Sequence, residues 1–397
     1  MQVDTEDILE FCQQLGKLED PRSPINRKHV LGDILVTCVC AVLSGCDGPI
    51  AIGDWAKAKA AWLKQHLALP HGIPSHDTMG RLLVALQPEA FQSCFKSWVA
   101  AIVNAKEELL RSQADDPTAE TRRHIAIDGK TLRRSHDRRA GLGPLHLVSA
   151  WAVDCGISLG QLATEEKSNE ITAIPQLCEQ IELKGSIVTI DAMGCQTEIA
   201  AKIVKGGGDY CLALKGNQGN LHAAVADRIE ALMADDFAGC ESQTLDVPEK
   251  KRHGRVDHYT YHQINVPQDL PGRAAWKKLT TIGVAIRLSA CGDKETSDVR
   301  FYISSLPLNI KLFAKSVRGH WAIENTLHWC LDVTFREDDS RLSERTLTNN
   351  TNNIAWLKRF AISLLKQVPD KRSIAMRRRH CGWNENYLAQ VLFGSAS

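Results

Sequence analysis

Two short β-branched runs that each end in an aspartate, His124-Ile-Ala-Ile-Asp128 and Ser186-Ile-Val-Thr-Ile-Asp191, constrain this chain more than any other feature. Each reads as a buried strand, because nearly continuous apolar runs belong to strands covered on both faces. A hairpin pattern follows the first run, Leu145 to Val153 and Ile157 to Ala163, turned at Asp154-Cys-Gly156. A period of 3.6 residues in Ile171, Ile174, Leu177, Cys178 and Ile181 marks a helix from Glu170 to Leu183. After the second run come a helix from Thr197 to Lys205, a strand from Tyr210 to Leu214 and a helix from Asn220 to Met233. This order predicts an α/β fold, a mixed sheet with helices on its faces. It also sets the two aspartates at the ends of neighbouring strands, where ligands of open α/β sheets gather.

The flanking segments have other periods. Residues 1–112 predict a helical unit, with helices over Thr5 to Leu15, Val30 to Ser44, Ile50 to His66, Ser75 to Ala85 and Pro88 to Leu110. The polar, proline-bearing stretch around Ser112 to Glu120 predicts a linker over 113–122. The α/β unit then spans 123–341. Within it, about 240–306 is β-rich, with runs over Asp257 to Val266, Thr280 to Leu288 and Val299 to Ser305 that either extend the sheet or form an insertion. A basic turn, Lys250 to Arg255, interrupts them. Helices over Leu342 to Gln367 and Asn384 to Leu392 predict a C-terminal cap, 342–397.

Composition narrows the function classes. The longest apolar run, Val30 to Cys46, contains Asp33 and is too short for a membrane span, so the expectation is a cytoplasmic protein with no membrane partner. Thirteen scattered cysteines with no CxxC pair predict buried, reduced thiols. The net charge of +1 conceals two basic clusters, at 122–139 and 358–379, which suit a polyanion.

Asp128 precedes Gly129 and Asp191 precedes Ala-Met-Gly194, so a turn or a helix cap would explain either one singly. At the ends of adjacent strands they would repel each other unless a cation lay between them. Mg²⁺ neutralises such a pair with one or two carboxylates and leaves positions for water and phosphate oxygens. A third acid would allow two ions about 4 Å apart. Glu324 is the candidate, because His320, Glu324, His328 and Asp332 recur every four residues along one helix stripe beside the apolar Ile323, Leu327, Cys330 and Leu331. The same spacing fits an amphipathic helix with a solvated edge. A histidine–glutamate metal site of hydrolase type is a further reading, for which HExxH is absent. Lys130, Arg133 and Arg134 follow Asp128, and Lys215, Asn217 and Gln218 follow a strand of the same sheet, an arrangement that suits phosphate contacts to DNA beside the acids. Trp321 and Trp329 flank Glu324, where an exposed indole would stack on an unpaired base and a buried one would fill the core.

Several ordered segments carry a resemblance: Ile125-Ala-Ile-Asp-Gly-Lys130, Glu166-Lys-Ser-Asn-Glu170, Val188-Thr-Ile-Asp-Ala-Met193, Leu214-Lys-Gly-Asn-Gln218, His253-Gly-Arg255, and His320-Trp-Ala-Ile-Glu-Asn325 with Leu327-His-Trp329. The chain resembles the DDE transposases of bacterial insertion sequences, in particular the H-repeat-associated group. Gly72-Ile-Pro-Ser-His-Asp-Thr78 is similar to the helical domain that accompanies that catalytic domain. The resemblance implies an RNase H-like domain with Asp128, Asp191 and Glu324 as the catalytic and metal-binding triad, holding two Mg²⁺ (or Mn²⁺) ions. It implies cleavage of double-stranded DNA at element ends and strand transfer to a target, by a homodimer on DNA at the nucleoid, with no small-molecule cofactor. It also extends the expected DNA contacts to Arg252, Arg255, Arg318, His320, Trp321 and Asn325. Related transposases carry Tyr-x-x-Arg ahead of this glutamate and a lysine seven residues after it, where this chain has Val317, His320 and Leu331. The alternatives are a metal-dependent nuclease on the same fold without strand transfer, and a catalytically silent DNA-binding protein.

Overall fold

In the computed structural model the two aspartate-ended runs are neighbouring parallel strands in the middle of one mixed sheet. The structure describes residue 15 and residues 18–112, 122–135, 143–164, 170–252, 255–292, 294–339 and 347–393. Apart from Leu15, the helix expected from Thr5 lies outside the described residues, as does the linker except for Arg122.

The N-terminal segment folds as α1 (Leu31–Leu43), α2 (Pro49–Ala58), α3 (Ala60–His66), α4 (His76–Ala85), α5 (Pro88–Ser93) and α6 (Lys96–Ser112). The expected helix from Ile50 to His66 is divided at Lys59, whose φ of −102° and ψ of 17° leave the helical region. The helix expected from Pro88 divides likewise, after Ser93. Nearly every position of α1 is buried, which makes it a core helix. Its Asp33 is tolerated there because the carboxylate accepts the Leu69 N–H at 2.8 Å. No helix among the described residues is long and apolar enough to cross a membrane.

The sheet contains β1 (His124–Thr131), β2 (His146–Ala152), β3 (Ile157–Thr164), β4 (Ile187–Ile190), β5 (Asp209–Leu214), β6 (Ser242–Arg252), β7 (Arg255–Asn265), β8 (Thr281–Cys291) and β9 (Lys294–Ser304), in the order β3-β2-β1-β4-β5-β9-β8-β7-β6. Strands β1, β4 and β5 are parallel, β2 pairs antiparallel with β1, and β3 pairs antiparallel with β2. This is the mixed RNase H-like sheet. The β-rich insertion of residues 240–306 extends the same sheet: β9 pairs antiparallel with β5, Leu212 opposite Ile303, and β8, β7 and β6 continue outward. The basic segment begins as the end of β6, a strand whose polar sequence concealed it. A polar, lysine-bearing strand with a proline at its register shift suits a sheet edge.

Helices α7 (Glu170–Gln180), α8 (Thr197–Lys205) and α9 (Gly219–Ala234) share one apolar core with a face of the sheet. On the other side, Ala126 and Trp151 join a core made by the N-terminal helices and α11 (Leu347–Gln367). Between these two in sequence comes α10 (Ile310–Ala322), capped by the Asn309 side chain on Leu312 N–H at 3.0 Å. Its buried Ile310, Phe313, Ala314 and Val317 recur at helical spacing and lie on β4, β5, β7, β8 and β9. Two further helices close the chain, α12 (Ile374–Trp383) and α13 (Glu385–Phe393).

Candidate active site

Strand register places the first two acids. Ile127 of β1 pairs with Ile190, the last residue of β4, so the next residue of each chain segment is an aspartate, Asp128 inside β1 and Asp191 just past the end of β4. The Asp191 carboxylate accepts N–H bonds from Met193 at 3.1 Å and Gly194 at 3.4 Å, so it also closes the turn into α8.

Glu324 reaches the same place from α10. That helix does not continue regularly: after Ala322 it widens into π-helical turns over Ile323–His328 and Cys330–Thr334. Such turns are rare and concentrate at functional sites. Ile323, Leu327, Cys330 and Leu331 are buried, as the apolar stripe predicts, whereas Glu324, expected at a buried margin, is exposed. The helix is seated on the sheet through Thr189, whose hydroxyl is 2.9 Å from His124 Nε2 and 3.2 Å from His320 Nδ1. Gly319 makes this approach possible, because a Cβ there would overlap the His124 ring.

Burial, and then the Asp191 charge, push the Asp128 carboxyl up to about 7 against a bond from the Gly129 N–H, with Glu324 and Glu170 adding smaller pushes. The nearby imidazoles are held neutral by burial, His320 near 4 and both His124 and His328 near 3. His328 Nδ1 lies 3.4 Å from Asp128 Oδ2. A hollow of about 270 Å³ opens here, lined by Asp191, Lys215, Arg300, His320, Trp321 and Glu324 among others.

Among the described residues, no three His, Cys, Asp or Glu side chains stand close enough to enclose a metal ion. The donor set still fits a hard divalent cation. Two adjacent carboxylates, one with a raised proton affinity, are what such a cation relieves, and Mg²⁺ takes only one or two of them.

The basic residues divide into three groups. Arg133 and Arg134 are exposed on the turn after β1, near Asp338 at 3.4 Å and Asp339 at 3.6 Å, and Lys215 is exposed at the rim of the hollow. Lys130, by contrast, is only 8% exposed and is held by Asp332 at 2.7 Å and Asp338 at 3.0 Å. Asn217 donates to Ala192 O at 2.6 Å and Gln218 to Cys195 O at 3.0 Å, so both brace the turn that carries Asp191. Away from the acids, Arg255 pairs with Asp257 at 2.9 Å, and Arg318 is exposed with its guanidinium 5.6 Å from the Tyr259 ring centroid. Trp321 is half-buried under Arg300, and Asn325 donates to Trp321 O at 2.9 Å. The Arg252 side chain and residues 253 and 254 lie outside the described residues, as do Arg138 and Arg139 of the first basic cluster.

Sequence reasoning missed two buried pairs behind the acids. His146 Nε2 meets Glu170 Oε1 at 2.6 Å, directly over Gly129, where any Cβ would strike the carboxylate. Arg359 of α11 meets Glu337 at 2.7 Å. The available signal for the first was Gly129 itself, next to Asp128.

A mixed sheet of this order, with one acid inside its central strand and a second just past the end of the adjacent parallel strand, defines the class, and comparison with known proteins gives the family. A family profile described as "Transposase DDE domain" matches residues 119–365, and one described as "DDE_Tnp_1-associated" matches residues 12–99. The chain belongs to the DDE transposase family, in its H repeat-associated group. It is 35% identical over 395 residues to "H repeat-associated putative transposase YhhI" of Escherichia coli K12, covering 98% of this chain and 99% of that one. It is 36% identical to "Putative transposase YncI" of Escherichia coli O157:H7, over 97% of this chain and 95% of the relative. A protein of Xanthobacter autotrophicus, "Uncharacterized protein in dhlA 3'region", is 41% identical over 60% of this chain and 75% of its own length.

Proposed function

We propose that this transposase cuts double-stranded DNA at the ends of its element and joins the freed ends to a target, with Asp128, Asp191 and Glu324 as its catalytic acids. The observation that carries this reading is the side-by-side register of Asp128 and Asp191, with Glu324 close enough to bias the Asp128 proton. These three carboxylates are the residues that would hold Mg²⁺ or Mn²⁺. When bound, the cations supply charge neutralisation at the phosphate and a more acidic bound water.

The remaining tasks belong to the chain itself. Once deprotonated, Asp128 would be available with Asp191 to hold a cation. His124, Thr189 and His320 hold the Glu324 helix against β1 and β4. Lys215 faces outward beside Asp191 and Glu324, and Arg133 and Arg134 face outward on the turn after β1, where phosphate contacts would position the DNA. Lys130, Asn217 and Gln218 act one layer behind, as braces. The active species in this proposal is a homodimer bridging two element ends at the nucleoid, with residues 1–112 as a helical unit beside a catalytic unit of 123–341.

The test uses labelled DNA carrying the repeats that flank the gene, incubated with Mg²⁺, with chelator, and with Asp128→Asn, Asp191→Asn or Glu324→Gln protein. Metal-dependent nicking at the repeat ends with joined products, lost in each variant, is the expected result. Cleavage without joined products would reduce the proposal to a nuclease. Binding without cleavage would point to a silent DNA-binding protein, and a variant that still cuts would remove its residue from the triad.

A further inference from the structure

The hollow lined by Asp191 and Glu324 does not end there. At Arg300, Tyr302, Val317 and Trp321 it continues into a second hollow of about 590 Å³ on the sheet extension, between α10 and strands β7, β8 and β9. Tyr259 and Tyr261 lie side by side in it, their rings 8° from parallel and 6.3 Å apart, with Tyr259 half-buried and Tyr261 buried. Four arginines line this second hollow, Arg255, Arg287, Arg300 and Arg318, against two acids, Asp257 and Asp298.

Two of those arginines are placed for an incoming ligand. Arg300 is fixed in orientation: its Nε and Nη2 donate to Asp298 at 3.0 and 2.9 Å, and its guanidinium lies 4.3 Å from the Trp321 ring centroid. Arg318 is exposed, rests its guanidinium over the Tyr259 ring and has no acid partner among the described residues. The result is a net-positive trough that begins at Asp191 and Glu324 and offers aromatic faces along its length. Its volume is in the range of small-ligand sites, roughly 300–1,000 Å³, which is enough for single nucleotides. Basic grooves interleaved with aromatic rings bind unpaired strands, because phosphates meet the charge and every base has a face to stack.

We propose that this trough holds an unpaired stretch of the DNA strand that leaves the three acids, with phosphates at Arg300 and Arg318 and bases against Tyr259 and Trp321. The inference rests on the transposase reading of the acids, and it adds that the DNA is locally unpaired beside the cut.

The test compares two ligands on the full-length protein in chelator, by fluorescence anisotropy: a blunt duplex of the repeat end, and the same duplex with a short unpaired tail. The tail should tighten binding about tenfold, the equivalent of one stacked base. Tyr259→Leu should remove most of that gain and leave blunt-duplex affinity as it was. Arg318→Ala, at an exposed position where folding is not in question, should remove it too. A tail that adds nothing while the blunt duplex binds overturns the trough and leaves the transposase reading standing. So does a gain that survives in both variants, or an Arg318→Ala loss that is equal for both ligands, which would put duplex backbone at this arginine. Failure of the wild-type protein to bind either ligand overturns both readings.

Discussion

Asp128 shows at the scale of one residue how strand register becomes chemistry. An acid whose folded pKa is raised adds stability that is fully present below its unfolded pKa, near 4, and lost as pH rises through the folded value, about 7. Without metal, Asp128→Asn should therefore stabilise the protein progressively between pH 4 and 7, by a few kcal/mol in total. The neutral histidines act in the opposite sense, favouring unfolding as pH falls below their ordinary value of 6.5, but they do so in both proteins and cancel in the difference. Urea unfolding of the two proteins in chelator at pH 5 and pH 8 measures it. A difference that does not grow with pH would show that the carboxyl is not held up.

The element that matters most is α10 with its π-helical extension. Its docking depends on Gly319, since a methyl at that position would meet the His124 ring. Gly319→Ala should lower stability by about 1–3 kcal/mol, the usual cost of overpacking. It should also depress cleavage, because the shifted helix carries Glu324. Calorimetry and the nicking assay follow the two effects, and adding His124→Ala to make room should restore part of each. Unchanged melting and cleavage in Gly319→Ala would mean that the helix is not seated by this contact.

For the whole molecule, the buried charges of α11 hold the layers together. Arg359, fully buried, donates to Ser149 of β2 at 3.1 Å and pairs with Glu337, in the segment just beyond the π-helical turns. Lys358 donates to Phe335 O at 3.2 Å. Arg378 of α12, 6% exposed, reaches Asp47, Thr334 O and Val42 O, which ties the C-terminal helices to α1 and the loop after it. Much of the second basic cluster is thus internal and does not offer a phosphate surface. Breaking one such pair strands the other charge, so Glu337→Gln should cost about 3–5 kcal/mol in chemical denaturation. Replacing both partners by apolar residues, Glu337→Leu with Arg359→Met, should cost clearly less. Equal losses would show that packing, and not the unpaired charge, sets the penalty.

The α/β class, most helices and strands and the two neighbouring aspartates were readable from periodicity, because burial on one face of a strand or helix imprints a repeat on the sequence, but β1 runs on to Thr131 and so holds Asp128 inside the strand, not at its end. The segments that broke this reading have local reasons. Strand β6 is a polar edge strand with little apolar pattern to see, and the helix after Ile50 is interrupted at Lys59 by backbone geometry that no residue type announced. Three-dimensional packing alone decided which lysines and arginines face out. Lys130 and Arg133 stand three positions apart, yet the first is enclosed by Asp332 and Asp338 while the second is exposed. The sequence by itself determined which residues could form a sheet with two neighbouring aspartates. Only the tertiary structure decided that Glu324 joins them across nearly 200 residues of chain, because that meeting depends on Gly319, His124 and Thr189 fitting together between elements remote in sequence.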